Sequence, residues 1–273
     1  MQIGIFAKTF PGSDPDIVFG AVKAAGFSTI QHNWSCSGLA SVPDTIPDDA
    51  QADVVRATDK HGLEMAAVSG TVNLIHPDMA VRQQGIDNLK TVIRSAPAIQ
   101  APVVTLCTGS RNADDQWADH PDNQSEEASA DLLAAMEQLL PVAEEVGVKL
   151  GVEPELANVI NSAEAAKRLI DALQSDALTI VFDPANLFEI ASLDEQQHII
   201  AEGLERLAGY IGMAHAKDRT EDGGFTAAGQ GVLDYPFFLN GLRTVGFNGP
   251  LITHGLSADD APGVATFLAE QLA

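Results

Sequence analysis

EVGVKLGVE, residues 145–153, contains the whole unit from which this chain is built. A helical run stops at Gly147, a short apolar strand follows, and the strand closes on Glu153, a side chain able to coordinate a divalent cation. Glycine ends helices because it accepts the left-handed backbone that other residues resist. The same junction recurs at Gly26 in AAGFSTI, Gly62 in KHGLEMAAV and Gly246 in TVGFNGPLI. Its recurrence from one end of the chain to the other points to a single repeating βα architecture.

Three more apolar runs end as the first does. LTIVFD (178–183), YIGMAH (210–215) and PLITH (250–254) close on Asp183, His215 and His254. Helical patterns separate them, so the strands should run parallel with their C-terminal ends on one side. Strands are expected at 2–6, 28–32, 63–68, 102–107, 148–153, 178–183, 209–215 and 250–254, alternating with helices. An open doubly wound sheet would carry a glycine-rich phosphate loop after an early strand, and neither GxGxxG nor GxxxxGK[ST] occurs. The reading is therefore α/β: a (βα)8 TIM barrel, one domain over residues 1–273.

Helix starts fit that layout. Asn161 with Glu164 and Ser192 with Glu195 have capping-box spacing, and Ser125 and Ser257 precede acidic first turns. Leu132, Leu133, Met136, Leu139, Leu140 and Ala143 recur at helical steps and belong to the core, as do Val264, Phe267, Leu268 and Leu272. The longest irregular piece, TGSRNADDQWADHPDN (108–123), falls after the fourth strand and is a candidate substrate loop. SVPDTIPDD (41–49) and RTEDGGFTAAGQG (219–231) are long enough to wall a pocket.

Fifteen Lys and Arg face 38 Asp and Glu, a formal charge of −23 that opposes approach to a phosphate backbone. Nucleic acid is excluded as a partner on this ground, and the acidity itself is read as a solvated surface. No apolar run reaches the roughly 20 residues of a membrane span. MQIGIFAKTF reads as a strand without the features of a secretory signal, so a cytoplasmic location is expected. Cys36 and Cys107 are read as free thiols.

In a closed barrel, residues at successive strand ends surround the axis. Glu153, Asp183, His215 and His254 would then converge on one cation. Two carboxylates and two imidazoles suit a borderline divalent ion; we take Mn2+ first, with Zn2+, Co2+, Fe2+ and Ni2+ matching the same donors. Any one of these residues alone could be a helix cap or a polar rim. All four in succession favour a metal site.

LGVEPE (150–155), VFDPANL (181–187), MAHAKD (213–218), AAGQGVLDYPFFLNGL (227–242) and PLITHGL (250–256) resemble the sugar phosphate isomerase/epimerase family of xylose isomerase-like barrels. GTVNLIHPD (70–78) and VVTLCTGSRN (103–112) extend the resemblance into the first half. It implies that Glu153, Asp183 and His215 are metal ligands and that Glu153 is a base. Many such enzymes have a Glu at the end of the last strand, as ligand and as one of two proton-transfer carboxylates, where this chain has His254. Metal binding survives that exchange, whereas a two-glutamate epimerisation does not carry over intact.

The expected activity is that of a metal-dependent isomerase or epimerase on a small sugar or sugar derivative, through an enediolate. Glu153 and His254 are the candidate proton-transfer groups, His254 only insofar as metal coordination leaves it free. His76, Arg111, Asn186, Lys217 and Arg219 are candidate substrate contacts, because each follows a strand on the same barrel face. Lys217, Asp218 and Arg219 would project into the pocket mouth or onto its wall, the alternative being an Asp218 salt bridge that only orders the loop; Glu155 is read as a carboxylate supporting the ligands, and Trp34 as a stacking surface or a cover for the barrel top. Competing readings are a lyase or dehydratase on a keto-sugar, which shares the first step, a non-catalytic sugar-binding barrel, and an endonuclease-like barrel that the charge disfavours. Self-association into a homo-oligomer is left open.

Overall fold

Gly26, Gly62, Gly147 and Gly246 all hold positive φ, at +97°, +58°, +73° and +80°. Each stands where a helix turns into a strand, as their spacing implied. The computed structural model describes residues 1–273. Eight strands form the barrel wall: β1 (Gln2–Phe6), β2 (Thr29–His32), β3 (Glu64–Ser69), β4 (Val103–Leu106), β5 (Lys149–Val152), β6 (Leu178–Phe182), β7 (Ile211–Ala216) and, after the short strands β8 (Asp218–Arg219) and β9 (Phe225–Thr226), β10 (Pro250–Thr253). Every pairing in the wall is parallel, and β10 closes onto β1 through the register Gln2↔Pro250 to Ile5↔Thr253.

Eight helices surround the wall: α1 (Pro15–Ala24), α2 (Asp48–His61), α3 (Met79–Ser95), α4 (Glu126–Val146), α5 (Ala163–Leu173), α6 (Leu193–Arg206), α7 (Tyr235–Thr244) and α8 (Ala261–Leu272). Their apolar faces make the main core with the outward sides of the strands, and Leu132, Met136, Leu139, Leu140 and Ala143 of α4 are buried as their period required. Ala66, Ala67, Val103, Val181, Met213 and Ile252 form a separate small cluster. They come from five strands, so the barrel interior is where they meet. This apolar plug leaves the C-terminal mouth to polar side chains.

Ser192 and Glu195 form the expected capping box, and Ser125 caps α4. Two starts differ. Ser162, not Asn161, accepts from the Ala165 N–H at the head of α5. Ser257 bonds Asp260 in the turn before α8 rather than capping the helix. At α5 the adjacent serine meets the helix end, whereas Asp260 at the head of α8 makes no side-chain cap. The hairpin of β8 and β9 is an element the periodicity does not reveal, because each strand is two residues long.

The segment 108–123 is pinned at several points. Asn73 accepts from Ser110 N and donates to Ser110 O, Asn158 accepts from Gly109 N, and Asn123 accepts from Arg111 N and donates to Ala157 O. Both cysteines are free and buried. No helix is long and apolar enough to cross a membrane.

Candidate metal centre

Glu153 follows β5, Asp183 follows β6, His215 lies near the end of β7, and His254 follows β10. These strands are consecutive neighbours in the wall, and β10 is registered on β7 with Ile252 opposite His215. One ligand atom from each of the four residues lies within 4.8 Å of all the others. Asp183 and His215 are buried, while Glu153 and His254 are partly open to the mouth.

The donor atoms already face one another. His215 Nδ1 is 3.0 Å from Glu153 Oε1, and His254 Nε2 is 3.2 Å from Asp183 Oδ2. The two imidazole rings are 4.4 Å apart, centroid to centroid. Two anionic oxygens and two imidazole nitrogens brought this close match the donor set of a divalent transition-metal site. The residues therefore fit such an ion.

A second layer fixes the carboxylates. Lys217 is buried; its Nζ donates to Asn186 Oδ1 at 2.6 Å and lies 3.4 Å from Asp183 Oδ2. Asn186 Nδ2 in turn donates to Glu153 Oε1 at 2.8 Å. Asn186 thus spans the two halves of the cluster, and Asp183 takes the capping role, its Oδ1 accepting from Ala185 N. On the far side of the cluster, His215 Nε2 is 3.0 Å from Gln31 Oε1 of β2.

These contacts set the ionisation of the site. Burial acts to raise Asp183, but the charge of Lys217 and the His254 hydrogen bond outweigh it and hold the carboxyl well below the usual range. Glu153 is likewise lowered, the charge and hydrogen bond of His215 prevailing over burial. Burial and the neighbouring His215 lower His254. Glu155 moves the other way: burial pushes it up to about 7, against the attraction of Lys217.

Lys217 and Arg219 share an aromatic partner, Phe225, whose ring centroid lies 3.7 Å from Lys217 Nζ and 3.7 Å from the Arg219 guanidinium carbon. Arg219 also donates to the carbonyls of Ala185 and Gly223, so it fastens the β8–β9 hairpin to the segment after β6. Asp218 orders its loop without a salt bridge. Its carboxylate accepts from the backbone N–H groups of Arg219, Gly229, Gly231 and Leu233.

His76 and Arg111 share no hydrogen bond with the cluster. Arg111 is spent on Asp131 of α4, at 2.7 Å, and on the Ile75 carbonyl, while Arg82 of α3 joins the same carboxylate. His76 is held by the Ala113 carbonyl and the backbone of Asp78. Trp34 is fully buried with its ring edge-on to His32, so it covers the barrel and offers no stacking face. Gln31 and Phe225 are additions that the sequence reading lacks. The alternation of strand residues was the only cue to Gln31: with His32 outward, Gln31 turns inward.

The chain matches the model of the xylose isomerase-like TIM barrel family over residues 19–269. No protein of curated function is similar enough in sequence to match it. Among solved structures, a 3-keto-D-glucoside 4-epimerase from E. coli superposes with a TM-score of 0.78 at 16% identity, covering 99% of each chain. An L-ribulose 3-epimerase gives 0.77 at 18% identity, covering 99% of this chain and 94% of its own. A xylose isomerase domain protein from Planctomyces limnophilus gives 0.69 at 20% identity, with 93% and 89% covered. At such identities the superpositions establish the shared fold, and the family match over nearly the whole length makes the chain a member of the xylose isomerase-like TIM barrel family.

Proposed function

We propose that this protein is a divalent-metal-dependent isomerase or epimerase acting on a small sugar or sugar derivative through an enediolate. The observation that carries the reading is the convergence of Glu153, Asp183, His215 and His254 within 4.8 Å at the barrel mouth. A cation held there, Mn2+ in the first instance, supplies Lewis acidity toward a carbonyl and the adjacent hydroxyl. The names of the similar structures support the substrate class, since a 3-keto-sugar 4-epimerase inverts the carbon next to a carbonyl.

Glu153 is the base. Its Oε1 accepts from Asn186 and faces His215, whereas Oε2 takes part in no hydrogen bond within the chain and is the oxygen left to remove a proton. His254 Nδ1 is similarly unengaged, and with 22% of its side chain exposed this imidazole is the more open of the pair. It is placed in the second half of the reaction, where an isomerase or epimerase must return a proton. Lys217, Asn186 and Arg219 lie beside the cluster and bind substrate hydroxyls. His76 and Arg111 hold the βα loops that frame the mouth.

The test is exchange and turnover with 3-keto-glycosides and ketohexoses in D2O, on protein carrying about one divalent ion per chain. Deuterium should enter the carbon next to the carbonyl, Glu153→Gln should abolish both exchange and turnover, and His254→Gln should retain exchange but lose product. Full activity in Glu153→Gln would refute the base assignment. Loss of water from the substrate would identify the lyase reading instead.

A further inference from the structure

We infer that Gln31 is a positioning residue: it accepts the Nε2–H of His215 and so commits Nδ1 of that ring to the cation. The inference rests on the metal-site reading above and concerns a residue outside the four donors. Gln31 is buried in β2, on the opposite side of the barrel from β6. Its Oε1 lies 3.0 Å from His215 Nε2, and its Nε2 donates to the Thr105 hydroxyl of β4 at 3.2 Å. Gln31, Thr105 and His215 are each no more than 5% exposed, so water does not take over these contacts.

The chemistry turns on which nitrogen carries the proton. A neutral imidazole has one N–H and one lone pair, and the partner of one nitrogen decides the state of the other. His215 Nδ1 faces the cluster at 3.0 Å from Glu153 Oε1. With an acceptor on Nε2, the proton resides there and the Nδ1 lone pair is free. With a donor on Nε2, the proton would move to Nδ1, bond Glu153 and block the ligand position. The Gln31 amide presents its oxygen, which is the acceptor arrangement. Gln31 also ties β2, which contributes no donor, to the metal centre across the barrel.

Three proteins test this: the parent, Gln31→Glu, whose ionised carboxylate can only accept, and Gln31→Met, of similar length with a weakly accepting thioether in place of the amide oxygen. Affinity for Mn2+ is read from the EPR signal of the free ion, and the His215 tautomer from long-range 1H–15N NMR on the Zn2+-loaded proteins. Gln31→Met should bind Mn2+ about 10- to 100-fold more weakly, the usual effect of removing a partner behind a metal-bound histidine. Gln31→Glu should bind about as tightly as the parent, and its His215 should retain the Nε2–H form. Unchanged affinity in Gln31→Met, or equal weakening in Gln31→Glu and Gln31→Met, overturns the inference. A parent that binds no Mn2+ or Zn2+ overturns it together with the metal-enzyme reading, an outcome distinct from both.

Discussion

Asp183 meets two demands with its two oxygens. Oδ1 caps the short turn after β6 by accepting from Ala185 N, and Oδ2 faces His254 and Lys217. The helix-cap and metal-ligand readings of a strand-end aspartate are therefore compatible, because each uses a different atom. The two roles can be separated. Asp183→Asn keeps an oxygen for the cap but removes the charge that offsets buried Lys217. Breaking a buried pair by removing one partner costs about 3–5 kcal/mol, reduced here by the Asn186 bond that Lys217 keeps. Urea unfolding of the metal-free variant should show a loss of at least about 2 kcal/mol, together with loss of metal binding. Stability equal to the parent would mean that Lys217 does not depend on Asp183.

The elements were legible wherever their signal is local. A short apolar run locates each of the eight wall strands, and glycine at a helix end marks the approach to four of them, β2, β3, β5 and β10, because both features act on the backbone of the residues that carry them. Gly147 illustrates the first. Its φ is +73° and a Cβ built there meets nothing within 4 Å, so only backbone strain opposes a side chain. Gly147→Ala should cost about 1–2 kcal/mol, read as a lower urea midpoint at unchanged slope. Gly147→Asn, which tolerates the left-handed region better, should recover part of it; equal loss in both would argue against a conformational origin. What stayed hidden depends on distant partners. Nothing near Arg111 in sequence announces Asp131, and nothing near Asp218 announces that its carboxylate will gather Gly229, Gly231 and Leu233. The four donors could be read because each ends a strand, and the barrel turns that shared position into proximity. Gln31, mid-strand, had no such marker.

The whole molecule holds the site only while the barrel is closed, so conditions that weaken the fold weaken the centre. Acid should do so through His32. This side chain is fully buried between Phe19 and Trp34, with centroids 5.7 and 5.1 Å away, and its Nδ1 has no partner. Burial pushes its pKa down to about 3 from an ordinary value of 6.5. Above pH 6.5 neither folded nor unfolded chain protonates it, and its contribution is complete. Below that, the unfolded chain takes up a proton that the folded chain refuses until about pH 3, so stability falls as pH falls. Glu155, raised to about 7, has the opposite sign, since the folded chain protonates it first. The parent alone would therefore show a mixture, and the informative quantity is the difference between the parent and His32→Leu. Between pH 7.5 and 5.5 the parent should lose about 1.4 kcal/mol relative to the variant in urea unfolding. A difference that stays constant across that interval would mean that His32 is not held neutral by the fold.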